Sequence, residues 1–184
     1  GDVSGKGVPA SLVMAVTCRL FRTVASHFQK PSEIVTSLND TLAENNESNM
    51  FCTFFLGILD LQTGYMQYCN AGHNAPVVMR ASGKTEFMEV VPNLPLGLFE
   101  GFPYDGQECT LMKGDSLFLY TDGVTEAENI EKRLYSDEPL LDFLVMHRHE
   151  HPSGLVEKVF QDIVCHAAGA EQSDDITIMC LKYK

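Results

Sequence analysis

Three short glycine-bearing turns constrain the fold of this chain more than any other feature. Gln62-Thr63-Gly64, Ser82-Gly83-Lys84 and Lys113-Gly114-Asp115 each separate two apolar runs of strand length. A connection of about three residues joins antiparallel neighbours, whereas a parallel pair needs a crossover of about a dozen residues or more. The pattern predicts strands over residues 51–60, 65–71, 76–81, 85–90, 107–112 and 116–121, with a Pro- and Gly-rich loop over 92–101. A doubly wound parallel sheet is therefore excluded.

The flanks carry the helical period. Residues 8–28 read as a helix, with Pro9 in its first turn and Val13, Val16, Leu20 and Val24 on one face. Ser32 is placed to cap a second helix with the stripe Ile34, Leu38 and Leu42, stopped by Asn45-Asn46 and Ser48-Asn49. Further helices are predicted over 139–147 and 153–166, and a last strand over 176–183. Two helices, a run of strands, two helices and one strand give an α+β fold: two antiparallel β-sheets packed as a sandwich flanked by helix pairs. The 184 residues suffice for one domain spanning 1–184.

Composition removes several function classes. Apolar residues make up 45% and charged residues 21%, ordinary for a globular protein. The longest apolar runs, 54–59 and 116–120, fall far short of the ~18 residues of a membrane span, so no membrane insertion is expected. The net charge of −12, from 13 basic and 25 acidic residues, repels nucleic acid and anionic lipid and suits either cation binding or a solvated surface. Cys18, Cys52, Cys69, Cys109, Cys165 and Cys180 form no C-x-x-C pair. They read as buried free thiols of a reducing, cytoplasmic compartment.

The opening stretch GDVSGKG raises two chemical readings. A P-loop needs Ser or Thr after its lysine, and here Gly7 follows Lys6. A dinucleotide fingerprint needs an acidic residue about twenty positions on, where this chain has Arg19 and Arg22. The metal reading asks for partner carboxylates. Asp122 in YTDG ends an apolar strand, Asp174 and Asp175 in SDDIT start the last one, and Asp2 sits at the mouth of a turn. Carboxylates ~4 Å apart repel by about 4 kcal/mol at a surface-like dielectric, and a divalent ion reverses that sign. Each aspartate alone also reads as an ordinary turn residue.

GDVSGKG, NAGHNAP (70–76), YTDGVTE (120–126) and SDDITI (173–178), in this order over the whole chain, resemble the SpoIIE/RsbU branch of the PPM metal-dependent serine/threonine phosphatases. The resemblance implies two central antiparallel sheets with paired helices outside. It implies two ions, Mn²⁺ or Mg²⁺, with Asp2 bridging both, Val3 lending a backbone carbonyl, and Asp122 and Asp174 completing the other shell. Asp175 stands where relatives often carry Asn and is an outer partner or an extra ligand. The implied reaction is attack on phosphoserine or phosphothreonine by a water bridging two metals about 3.5–4 Å apart. The implied substrate is a phosphorylated regulatory protein of the anti-sigma-factor-antagonist type, with a sensor or receiver domain upstream.

The family carries another aspartate and further strands before GDVSGKG. The chain thus reads as lacking N-terminal strand(s), with self-association into a homodimer through an exposed sheet edge as one consequence. Ser4 stands where the eukaryotic branch has a proposed acid histidine, and a serine is a poor proton donor. His73 reads first as a structural residue bonded to loop backbone. His147, His149 and His151 read as an exposed helix end before Pro152, and Lys6 as either a phosphate contact or a solvated lysine. The alternative function is a catalytically inactive phosphatase-like binding or dimerisation module.

Overall fold

Asp60 shows how the first hairpin closes. Its Oδ1 accepts the N–H of Gln62 at 2.8 Å, and these backbone donors hold its carboxyl below the usual aspartate range. Gly64 takes φ 74°, which the tight reversal requires. Strands β2 (Cys52–Leu59) and β3 (Tyr65–Ala71) then pair antiparallel with Phe55 opposite Asn70 and Leu59 opposite Met66.

The computed structural model describes residues 1–44, 46 and 49–184, so Asn45 and Ser48 of the predicted helix stop lie outside the described residues. The chain forms two compact units, Gly1–His73 with Val90–Thr110, and Asn74–Glu89 with Leu111–Lys184. Each holds one antiparallel four-stranded sheet and one helix pair, the α+β class predicted.

In the first unit the sheet runs β1-β2-β3-β6, with β1 (Asp2–Val3) at one edge and β6 (Gln107–Thr110) at the other. Helices α1 (Val8–Val24) and α2 (Pro31–Ala43) close its core around Val35, Leu38, Cys52, Cys69, Ala71 and Leu96. Three details correct the sequence reading. Pro31 takes the first turn of α2 and Lys30 caps it, so Ser32 lies inside the helix; proline's fixed φ and missing N–H suit that place. Helix α1 stops at Val24, where Ser26 Oγ donates to the Thr23 carbonyl at 2.7 Å. Its inward face runs through Ala10, Val13, Met14, Leu20 and Phe21, leaving Val8, Leu12 and Val16 outward at 72%, 62% and 52% exposure. Buried Asn39 of α2 ties down the 92–101 loop: it donates to the Phe99 carbonyl and accepts from Gly97 N–H and Tyr104 O–H.

In the second unit the order is β5-β4-β7-β8, from β4 (Val77–Met79), β5 (Thr85–Phe87), β7 (Ser116–Tyr120) and β8 (Ile178–Lys182). A single-turn helix α3 (Asp122–Thr125) follows β7, and α4 (Asp137–His147) and α5 (Pro152–Ala167) pack over the sheet. Val77, Phe118, Val124, Leu140, Leu144, Leu155, Val159 and Ile163 form the core. Helix α4 starts two residues earlier than predicted, placing Asp137 and Glu138 where the helix dipole favours them. Among the described residues, no helix is long and apolar enough to cross a membrane.

Asp115, just before β7, anchors the 113–115 turn. Its carboxylate is 1% exposed in residue terms and accepts from Ala81 N–H (2.8 Å), Met112 N–H (2.9 Å) and Arg80 (3.0 Å). Burial alone would raise its pKa; the two amides and the guanidinium outweigh burial and hold it below the ordinary 3.8. A depressed folded-state pKa gives stability that is present above the unfolded value and lost as pH falls through the folded one. Urea unfolding should show Asp115→Ala costing about 3 kcal/mol at pH 7. The gap between variant and wild type should narrow below pH 3.8.

Candidate metal centre

In the second unit the sequence brings two acidic motifs onto adjacent backbones. Strand β7 pairs with β8 up to Tyr120 opposite Ile178. Thr121 is extended (φ −91°, ψ 161°), and Asp122 opens α3 directly after it. The Thr121 N–H donates to the Thr177 carbonyl at 3.1 Å, its Oγ1 donates to the Asp175 carbonyl at 3.0 Å, and the same oxygen accepts Thr177 N–H at 2.9 Å. A Cβ on Gly123 would lie 2.4 Å from the Asp175 carbonyl oxygen, so only glycine allows this approach. Asp174 Oδ1 accepts the Asp175 N–H at 2.8 Å, folding the acidic turn on itself. Asp122 and the Asp174–Asp175 turn are thus brought together, with Asp122 half-buried and Asp175 exposed.

Asp122 Oδ1 is buried and has no hydrogen-bond donor among the described residues. Thr85 Oγ1 and Arg148 Nε share that condition, but neither is an anionic oxygen. A buried carboxylate oxygen without a donor is costly unless a cation meets it. Hard carboxylate donors suit Mg²⁺ or Mn²⁺, so the residues present fit a divalent ion. Among the described residues, neither unit holds a group of three or more His, Cys, Asp or Glu side chains arranged for a metal.

In the first unit, Asp2 and Val3 form β1, opposite Thr53 and Cys52. Asp2 stands on a short strand just before the turn, as read, and the turn carries Gly5 (φ 82°) and Gly7 (φ 77°), the latter capping α1. Ser4 continues the strand contact, its Oγ accepting Phe51 N–H at 2.9 Å. Thr53 Oγ1 donates to the Asp2 carbonyl at 3.4 Å and lies 2.9 Å from His73 Nδ1. The His73 ring meets a threonine hydroxyl where a loop-backbone partner was expected. The backbone clamp comes from Asn70, which donates to the His73 carbonyl at 2.8 Å and accepts His73 N–H at 2.7 Å. Gly72, at φ 68°, lies so near Pro95 that a Cβ would stand 2.7 Å from its ring. Thr53, Asn70, Thr121 and Gly123 were missed as supporting residues, although each stands inside or opposite a quoted motif.

The remaining histidine and lysine candidates lie on the surface of their units. His147 faces Glu150 at 3.9 Å, and His151 caps α5 through Ser153. Lys6 is exposed. All six cysteines are free, but only Cys52 and Cys69 are fully buried, and Cys18 and Cys165 lie exposed on α1 and α5. Burial pushes the Cys52 thiol to about 11 and that of Cys69 to about 12, so neither supplies a thiolate nucleophile.

The family model described as stage II sporulation protein E (SpoIIE) matches residues 1–184. Phosphoserine phosphatase RsbU of Bacillus subtilis (strain 168) is 26% identical over 183 residues, which cover 100% of this chain and 54% of RsbU. The SiaA-PP2C domain of Pseudomonas aeruginosa superposes with a TM-score of 0.86 at 17% identity, over 99% of this chain and 73% of that one. RsbX in complex with magnesium superposes with a TM-score of 0.65 at 18% identity, over 96% of this chain and 75% of that one. These structural likenesses show the fold. The chain spans about half the length of RsbU.

Burial lowers the His73 pKa to about 4. The ring is therefore neutral in the folded protein at pH 6, and the stability tied to that neutral form is lost as pH falls from the ordinary 6.5 through about 4. Nitrogen-15 imidazole spectra should show His73 titrating near 4. A midpoint near 6.5 would mean the ring is not buried against Thr53.

Proposed function

The chain belongs to the SpoIIE family of PPM-type phosphatases, and on that premise we propose that it is a protein serine/threonine phosphatase using two divalent ions, Mn²⁺ or Mg²⁺. The observation that carries the reading is the buried, donorless Asp122 Oδ1 beside the Asp174 turn. Asp2, the Val3 carbonyl, Asp122 and Asp174 are the proposed ligands, with Asp175 an outer partner or an additional ligand. Bound divalent ions supply charge neutralisation for phosphate oxygens and activation of water. The protein's own part is to fix where these residues stand: Thr53 hydrogen-bonds the Asp2 backbone carbonyl, and α3 opens at Asp122. With Cys52, Cys69 and Cys180 all raised to about 11 or 12 by burial, direct hydrolysis is favoured over a covalent cysteine intermediate.

The proposed substrate is a phosphoserine or phosphothreonine on a regulatory protein of the anti-sigma-factor-antagonist class, with a sensor or receiver domain accompanying the chain in the whole protein. RsbU, a phosphoserine phosphatase, supports the reaction class. One observation favours the second reading, a binding or dimerisation module: the outward apolar stripe Val8, Leu12 and Val16 on α1, a surface for a second copy.

Hydrolysis of p-nitrophenyl phosphate and of a phosphoserine peptide should require Mn²⁺ or Mg²⁺. Asp2→Asn, Asp122→Asn and Asp174→Asn should each lower kcat/KM by more than the roughly 10–100-fold typical of outer-shell changes. Mn²⁺ should raise the melting temperature of wild type and leave that of Asp122→Asn unchanged. A chain inert with every divalent ion, yet dimeric by sedimentation and monomeric as Leu12→Glu, would establish the module reading.

A further inference from the structure

Strand β7 changes into helix α3 at one residue, and the exchange of hydrogen bonds there is unusual. Continuing the antiparallel ladder past Tyr120–Ile178 would pair Thr121 with Thr177 through both backbone bonds. Only one of the two is made, from Thr121 N–H to the Thr177 carbonyl. The other, from Thr177 N–H, goes to the Thr121 side-chain oxygen at 2.9 Å. The Thr121 carbonyl is thereby released, and it accepts Val124 N–H at 3.0 Å, the bond that starts α3. The hydroxyl proton is used as well, on the Asp175 carbonyl at 3.0 Å. Thr121 itself is 2% exposed, so its own atoms in these bonds are shielded from water.

We propose that Thr121 is the positioning residue of the metal centre: its hydroxyl replaces its own carbonyl in the ladder and so fixes Asp122 against the Asp174–Asp175 turn. The inference rests on the metal-phosphatase reading above. Thr121 touches neither ion nor substrate; it acts through the two carboxylates that flank the seam. Both functions of the hydroxyl are needed at once, as donor to Asp175 and acceptor from Thr177, and only Ser and Thr offer both at this length. Gly123 complements it, because any side chain there would push the Asp175 carbonyl away.

Mn²⁺ titration calorimetry on the 184-residue chain tests this with Thr121→Val, Thr121→Ser and Asp122→Asn. Thr121→Val keeps the shape and removes the hydroxyl; it should weaken Mn²⁺ binding by about 10–100-fold, while Thr121→Ser should stay within about threefold of wild type, outside that window. Hydrogen exchange reads the latch without metal: the Thr177 amide should be protected in wild type and Thr121→Ser and open in Thr121→Val. Should Thr121→Val fail to fold, Thr121→Ala removes the same hydroxyl without setting a methyl against the Asp175 carbonyl and carries both readouts. Wild-type Mn²⁺ affinity in the folded hydroxyl-free variant overturns the positioning role and leaves the phosphatase reading standing. Equal Mn²⁺ binding by wild type and Asp122→Asn overturns the metal reading itself, and the positioning role with it.

Discussion

At Gly123 the backbone passes so close to Asp175 that a methyl group would stand 2.4 Å from its carbonyl oxygen. That approach dictates much of the second unit. It requires glycine between a strand and a helix, holds the end of β7 against the start of β8, and places Val124 in the core beside Leu140 and Ile163. Asp122 is therefore held by its neighbours' packing and not by bonds of its own side chain. A carboxylate held this way keeps its direction without using up its lone pairs, which is what a metal ligand needs.

The first unit solves a related problem with other side chains. Its strand ends and long loop carry backbone groups that no ladder can satisfy, and buried polar groups left unpaired are costly. Ser4 takes Phe51 N–H, Asn70 spans the reversal at Gly72, and Asn39 holds Gly97 and Phe99. Asn93 donates to the Asn70 and Asp105 carbonyls and accepts Asp105 N–H. These short polar side chains act as fixed struts: they lose little entropy on ordering, and each replaces a backbone partner. Motifs that look like catalytic signatures in the sequence, NAGHNAP above all, are in good part such struts.

The turns at Gly64 and Gly83 made their hairpins legible because a short glycine turn leaves one pairing direction, and β3 has the same bounds in the structure as in the reading. The 113–115 turn is no hairpin, since β6 before it pairs with β3 while β7 after it pairs with β4 and β8 in the other sheet. Helix existence was equally legible from the 3.6-residue period. The rotation of α1 was not: Val13, Val16, Leu20 and Val24 satisfy the period, but the helix turns Val16 outward and buries Thr17, whose hydroxyl bonds to the Val13 carbonyl. Periodicity ranks faces by apolarity and does not see a threonine that satisfies itself within the helix. The strand at Asp2 was not legible because a two-residue strand has no period to detect, and β1 exists only through its partners Thr53 and Cys52. The closeness of Asp122 to Asp174 was suggested by family pattern. Its cause, the Thr121 exchange, lies in two threonines whose ladder positions no linear reading assigns.

The two aspartates on either side of β7 differ in how their charge is met. Asp115 directly precedes the strand, and Asp122 follows it past Thr121. Asp115 is met by two backbone amides and an arginine, and its negative charge is satisfied by the protein alone. Asp122 has a buried oxygen with no donor among the described residues. The same strand, in the same core, thus completes one carboxylate and leaves the other open. Sequence cost does not explain the difference, since an asparagine or serine at 122 would have avoided a buried charge. In a chain of net charge −12, leaving an anionic oxygen unpaired is destabilising until a cation arrives. On the proposed metal reading, the electrostatic cost of the unpaired Asp122 oxygen and its affinity for a cation are one property, set by how firmly the seam at Thr121 and Gly123 holds Asp122 in place.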